Sequence, residues 1–188
     1  MERRRIDIIY GGTGGQGIVL AGYITGRAAA VHENLHSVFI PSYGAEARGG
    51  KARSCIAISN EKIDYPYVWN ADIMMIMSQQ AYDAYISMLK KNGILIVDED
   101  LVKLDERAKH ANIYKIPATR IAEKLGHRIV ANIVMLGFIV GITKIVSFDS
   151  MKKSVEESVP KRFLELNLKA LKEGYDYAKK FEGVNVWL

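Results

Sequence analysis

Three features of the chain predict an α/β fold on a mostly parallel sheet. Short apolar runs of strand character alternate with helical patterns, the spacing of strand–helix–strand units. A glycine-rich turn joins the first of those strands to the first helix, and from Asn132 onward only helical periodicity remains.

Ile6–Tyr10 is the first strand and Gly17–Val31 the first helix, in which Ile18, Ala21, Gly22, Thr25, Ala28 and Ala29 share a narrow small-residue face suited to lying on a sheet. Leu35–Ile40 is the second strand, followed by a polar loop from Pro41 to Gly50. Ala52–Ser59 reads as a strand turned by Asn60-Glu61-Lys62. Asp72–Met77 is apolar after its first residue, as a central parallel strand is. Ser78 then caps a helix from Gln79 to Lys90. Gly93 breaks that helix, and Ile94–Val97 forms a buried strand running into Asp98, Glu99 and Asp100. Ala111–Ile116 is a further strand, and Pro117 opens a helix that Gly126 stops. Helices follow over Asn132–Ile145, Ser150–Ser158 and Arg162–Phe181. With no linker or repeat to divide it, the chain reads as one domain over 1–188, a three-layer Rossmann-like sheet with a helical C-terminal third.

The turn itself, Gly11-Gly12-Thr13-Gly14-Gly15-Gln16-Gly17, matches G-x-G-x-x-G at Gly12, Gly14 and Gly17 between a strand and a helix. Glycines bring backbone N–H groups close to a ligand, and the helix dipole adds roughly half a positive charge at the same spot. Three readings stay open: tight strand–helix packing, an anion site, and an NAD site. The third lacks the acid that an NAD ribose wants at the end of the second strand, since Pro41-Ser42-Tyr43 stands there.

Composition narrows the classes. Twenty-six Lys and Arg against 21 Asp and Glu give a net charge of +5 with no dense basic run, which argues against nucleic acid as partner. The 49% hydrophobic and 25% charged residues are those of a globular protein. The longest apolar stretch, Ile129–Val146, is interrupted by Asn132, Thr143 and Lys144 and is read as a buried or interface helix rather than a membrane span. With no signal peptide evident, the expected location is cytoplasmic. Cys55, alone in an apolar run, cannot make an internal disulfide or hold an iron–sulfur cluster, which takes four thiolates as a rule. His32, His36, His110 and His127 have no metal-ligand spacing and read as solvated or capping residues, so no metal site is expected. Met74, Met75 and Met77, which alternate only imperfectly along a central strand, read as core. Asp98, Glu99 and Asp100 have the look of catalytic acids but read first as helix caps. No catalytic residue is assigned. Tyr43 and Gln79 are within reach of a ligand at the sheet edge, and Gln79 reads equally as a first-turn helix residue. Gly137 and Gly141, one helical turn apart, predict close helix packing against a partner subunit, and an apolar face from Ile133 to Ile142 predicts a homodimer when the chain is isolated.

The most specific segment is the second loop, Ser42-Tyr43-Gly44-Ala45-Glu46-Ala47-Arg48-Gly49-Gly50. Loops after successive strands of such a sheet meet at the carboxyl edge. Arg48, Lys51 and Arg53 are therefore expected to face the glycine turn as phosphate or carboxylate contacts, or else Arg48 or Arg53 pairs with Glu46 to order a loop at a subunit contact.

Taken with Gly12-Thr13-Gly14-Gly15-Gln16-Gly17, Ile63-Asp64-Tyr65-Pro66, Asp72 through Gln80, Gly93 through Asp98, Asn132 through Gly137 and Asn167 through Leu171, this loop resembles the gamma subunit of the 2-oxoacid:ferredoxin oxidoreductases, in order and along the whole chain. Within that family it is more similar to the 2-oxoglutarate or branched-chain 2-oxoacid enzymes than to the pyruvate enzymes. The resemblance implies oxidative decarboxylation of a 2-oxoacid to an acyl-coenzyme A with reduction of ferredoxin. It places thiamine diphosphate, magnesium and the clusters on partners: alpha and beta thiamine-binding subunits and a ferredoxin-like cluster subunit or domain. Consistently, the chain lacks the Gly-Asp-Gly…Asn signature of thiamine diphosphate sites. What remains for this chain is to pack on those subunits and to contribute to a coenzyme A site, or a subunit interface, through Gly12, Thr13, Gly14, Gly15, Gln16, Gly17, Tyr43, Arg48, Gly49, Gly50 and Arg53. The alternatives are a pyruvate, branched-chain or indolepyruvate enzyme subunit, a free-standing nucleotide-dependent oxidoreductase and a coenzyme A or nucleotide-sensing module.

Overall fold

The computed structural model describes residues 4–43 and 50–187. Six strands, β1 (Arg5–Thr13), β2 (His36–Tyr43), β3 (Lys51–Ser59), β4 (Ala71–Ile76), β5 (Leu89–Asp98) and β6 (Asn112–Ile116), form one sheet in the order β2-β3-β1-β4-β5-β6. β1, β4, β5 and β6 are parallel, while β3 runs antiparallel to both of its neighbours, β1 and β2. The sheet is thus mostly parallel, as predicted. β3 is the reversed strand because the loop after β2 is a hairpin connection, too short for a crossover helix.

The helices are α1 (Ile18–Arg27), which widens into a π turn over Ala28–His32, α2 (Gln79–Tyr85), α3 (Ala118–Lys124), α4 (Ala131–Thr143), α5 (Phe148–Ser158) and α6 (Leu164–Ala178). Ser78 caps α2 by accepting from the Ala81 amide at 3.2 Å. That helix ends earlier than predicted. A short 3-10 turn spans Ile86–Met88, and the chain is already in β5 at Leu89, which pairs with Ala71. The pairing outweighs helix propensity there, and Asn92, with φ 62°, absorbs the irregularity between Ala71 and Ile73 pairing.

Two apolar clusters sandwich the sheet. One side carries Ile8, Ile56, Ile58, Met75 and Ile96 against α1, α3, α4, α5 and α6. The other carries Ile9, Cys55, Ala57, Met74 and Leu95 against α2 and the chain after β5. Cys55 and the three methionines are therefore core residues, as their positions implied.

Helix α4 is buried from Ala131 to Val140. A Cβ on Gly137 would overlap the Leu171 carbonyl, one on Gly174 the Val134 carbonyl, and one on Gly141 the Ala178 methyl. The small-residue face thus packs on α6 of the same chain and not on a partner subunit. For the same reason Ile133–Ile142 is not an exposed face, and the ground for expecting a homodimer disappears. No described helix is long and apolar enough to cross a membrane.

Candidate functional site: the glycine rim

At the carboxyl edge of the sheet β1 ends in the glycine turn. Gln16 folds back into it: its Oε1 accepts from the Thr13 amide at 2.7 Å, and its Nε2 donates to the Met77 carbonyl at 2.7 Å. One side chain thereby fastens the turn to the end of β4. Gly12 leaves the room Gln16 and Ile18 need, since a Cβ there would lie 2.6 Å from Gln16 Oε1. Gly17, the residue before α1, has φ 70°, a left-handed conformation that suits glycine. Its carbonyl accepts from the Ala21 amide at 2.9 Å and from Asn132 Nδ2 at 3.1 Å, and a Cβ on it would strike the Asn132 amide. Gly15, with φ 94°, has nothing within 4 Å of a Cβ position, so its surroundings are open.

An α-helix leaves its first amides without intrahelical partners. Gly17 has no side chain with which to cap α1. The Ile18, Val19 and Leu20 amides find no acceptor among the described residues. These donors border a hollow of about 430 Å3, largely apolar, between α1, Ile129–Asn132 and Pro160–Asn167. A second hollow of about 220 Å3 lies on the other side of Gly15 and is lined by Gln16, Met77, Thr119, Arg128, Ile129 and Ala131. Ile129, 61% exposed, separates the two.

The predicted meeting of the two loops holds at Gly50, whose carbonyl accepts from the Gly14 amide at 2.9 Å. The cause is the β1–β3 register, in which Lys51 lies opposite Thr13. Tyr43 ends β2 opposite Ala52, so its backbone reaches this edge. Arg48 and Gly49 lie outside the described residues, as does Glu46.

Arg53 is a correction. It pairs with Gly11, whose Cβ position points at Ile76, Ala81 and Tyr85, so both face the α2 side of the sheet. The guanidinium lies over the Tyr85 ring, 5.2 Å from its centre, with Nη1 3.4 Å from Met88 Sδ. Strand alternation puts Lys51 on that same side. Neither faces the N-terminus of α1, which lies across the sheet.

The acids after β5 are structural. Asp98 is fully buried and accepts from the Thr119 amide at 2.9 Å, Thr119 Oγ1 at 2.6 Å and the Asp100 amide at 3.2 Å. Burial pushes its carboxyl above the usual carboxylate range in spite of those bonds. Glu99 and Asp100 pair with Arg120 in the first turn of α3. Gln79 does not reach toward a ligand: its Oε1 accepts from the Lys103 amide at 2.8 Å and its Nε2 donates to Asp83. His127 accepts from the Ile129 amide and His32 pairs with Glu157, capping and surface roles as expected. Among the described residues no three His, Cys, Asp or Glu side chains group as a metal site would require.

Two residues of the rim carried no local signal in the sequence. Arg128 follows a turn and lines the smaller hollow, and Asn132 bonds to Gly17 across 115 positions. From the sequence Asn132 reads as a polar break in an apolar stretch and the start of a helix, with nothing local to pair it with Gly17.

The fold and this rim define a class: a Rossmann-like α/β subunit whose glycine turn presents helix-start amides at a sheet edge. The chain belongs to the pyruvate ferredoxin/flavodoxin oxidoreductase family, whose profile matches residues 7–177. It is 50% identical over 186 residues to the 2-oxoglutarate synthase subunit KorC of Methanocaldococcus jannaschii, covering 96% of this chain and all of that one. It is 43% identical over 176 residues to the KorC subunit of Methanothermobacter thermautotrophicus, covering 90% and 93% of the two chains. Among solved structures it is similar to the keto/oxoacid ferredoxin oxidoreductase gamma subunit of Geobacter sulfurreducens, at 37% identity and a TM-score of 0.83, over 94% of this chain and 99% of that one.

Proposed function

We propose that this chain is the gamma subunit of a multi-subunit 2-oxoglutarate:ferredoxin oxidoreductase, which converts 2-oxoglutarate and coenzyme A to succinyl-coenzyme A and CO2 while reducing ferredoxin. The observation that carries this reading is the 50% identity, end to end, with a 2-oxoglutarate synthase subunit. The 1–188 domain then acts only in the assembly, inside the cell, beside alpha and beta subunits and a cluster-bearing subunit or domain.

The chemistry of this chain's own side chains agrees with that division. Cys55 is buried under the sheet, its thiol pushed up by burial, and is no ligand for a cluster. Thiamine diphosphate and the clusters supply the decarboxylation and the electron path when bound, and on this reading they sit on the companion subunits.

The glycine rim fits coenzyme A better. The three first-turn amides of α1 offer donors to a phosphate, with the helix dipole behind them. The open space at Gly15 lets a ligand approach the backbone closely, and Arg128 adds a cation on the adjoining hollow. This chain's part in the reaction is to bind and orient the acyl acceptor and to close the site against water. The backbone of Tyr43 and the Gly50 carbonyl lie at the same edge and serve that site or the subunit contact.

The test is co-expression of the chain with its companion subunits. The complex should reduce a viologen dye only when both 2-oxoglutarate and coenzyme A are present. A complex that turns over pyruvate or a branched-chain 2-oxoacid at least tenfold faster would refute the substrate, and a chain that never co-purifies with thiamine-binding subunits would refute the assignment itself.

A further inference from the structure

The bond between Asn132 and Gly17 links two parts of the chain that otherwise have separate tasks. Asn132 is the second residue of α4, 3% exposed, and forms part of the wall of the larger hollow. Its Nδ2 donates to the Gly17 carbonyl at 3.1 Å. That carbonyl also receives the Ala21 amide, so it is at once the first acceptor of α1 and the anchor point of α4. The left-handed Gly17 peptide decides where the Ile18, Val19 and Leu20 amides point.

Asn132 itself has little freedom. Five residues on, Gly137 brings α4 into backbone contact with Leu171 of α6, and Gly174 brings α6 against Val134. The α4–α6 seam therefore fixes the height of Asn132 above the sheet, and no residue but glycine fits beside it at position 17. At the other end of the turn the Thr13 amide is held by Gln16 Oε1, whose Nε2 fastens it to the Met77 carbonyl just past β4. The turn is pinned at both ends while Gly15 between them stays open.

We propose that Asn132 is a positioning residue of the coenzyme A site: by holding the Gly17 peptide it aims the first-turn amides of α1 at the ligand's phosphate. It need not touch the ligand to do this. The assignment rests on the coenzyme A reading of the rim, and the experiment separates the two.

Asn132→Asp and Asn132→Ala are each reconstituted into the complete complex, alongside Gly15→Ala, and the KM values for coenzyme A and 2-oxoglutarate are measured with kcat. Asp keeps the size of the side chain but brings an acceptor to a carbonyl, whereas Ala removes the group. Both should raise the coenzyme A KM about fivefold to tenfold, the worth of one lost hydrogen bond, with the 2-oxoglutarate KM unmoved. In the same complexes, amide exchange should quicken over residues 14–20 and stay unchanged over the α4–α6 seam. If Gly15→Ala raises the coenzyme A KM and the Asn132 variants leave it within twofold, Asn132 merely packs and the proposal is wrong. If none of the three moves it, the coenzyme A reading has failed and this assignment with it. If both Asn132 variants fail to assemble, Asn132 is a folding residue, which equally overturns the proposal.

Discussion

Two sets of glycines, one at the sheet rim and one between α4 and α6, perform different work with the same residue. At the rim, Gly15 and Gly17 take positive φ angles of 94° and 70°, and Gly15 borders open space. In the seam, Gly137 and Gly174 lie within ordinary helices and are small because the other helix's carbonyl occupies the place of a Cβ. The seam uses glycine for what it lacks, a side chain, whereas Gly15 uses it for what the backbone can then do. On the proposed reading of the rim, the glycine that binding depends on is Gly15, whose Cβ position meets nothing.

Substitutions sort along that contrast. The largest loss is expected from Gly137→Ala or Gly174→Ala, each of which drives a methyl into a backbone carbonyl that cannot move without separating α4 from α6. About 3 kcal/mol of stability should be lost, read as a lower urea midpoint of the subunit. A loss under about 1 kcal/mol would mean that the seam has slack and that the contrast is overdrawn. Gly17→Ala comes next at about 2 kcal/mol, because it combines left-handed strain with a collision against Asn132. It belongs to both sets, and it should lower stability and coenzyme A affinity together.

Gly15→Ala sharpens the comparison most. With no atom to collide with, it should cost only about 1 kcal/mol of strain. Yet in the assembled enzyme the coenzyme A KM should rise about tenfold, because a methyl stands where a ligand approaches. An unchanged KM would reduce the rim to a packing device. The smallest effect is expected at Arg53→Ala, which removes a guanidinium stacked on Tyr85 and should cost about 0.5–1 kcal/mol. The coenzyme A KM should stay within twofold, since Arg53 is on the far side of the sheet from the α1 amides. A tenfold rise there would restore Arg53 to the site.

Much of this was legible in the sequence for a reason that can be given residue by residue. The order strand, glycine turn, helix at Ile6–Ile18, the apolar run of β4 and the cap at Ser78 are local signals, each set by periodicity or a single side chain. The meeting of the second loop with the turn was legible too, although its cause is an antiparallel β3 and not a succession of parallel strands. That reversal also removes the NAD reading, because β3 occupies the place beside β1 where a strand ending in the ribose acid would lie.

What periodicity along the chain determined was the set of elements, their order and the glycine turn, because backbone preferences and apolar spacing act over a few residues. Where side chains end up across the sheet was decided by the tertiary structure alone. Alternation in β3 sent Arg53 to the α2 face, α6 covered the apolar surface of α4, and Asn132 met a carbonyl 115 residues away. Each of these depends on strand direction and helix docking, which are properties of the packed core and leave no mark on any short stretch of sequence.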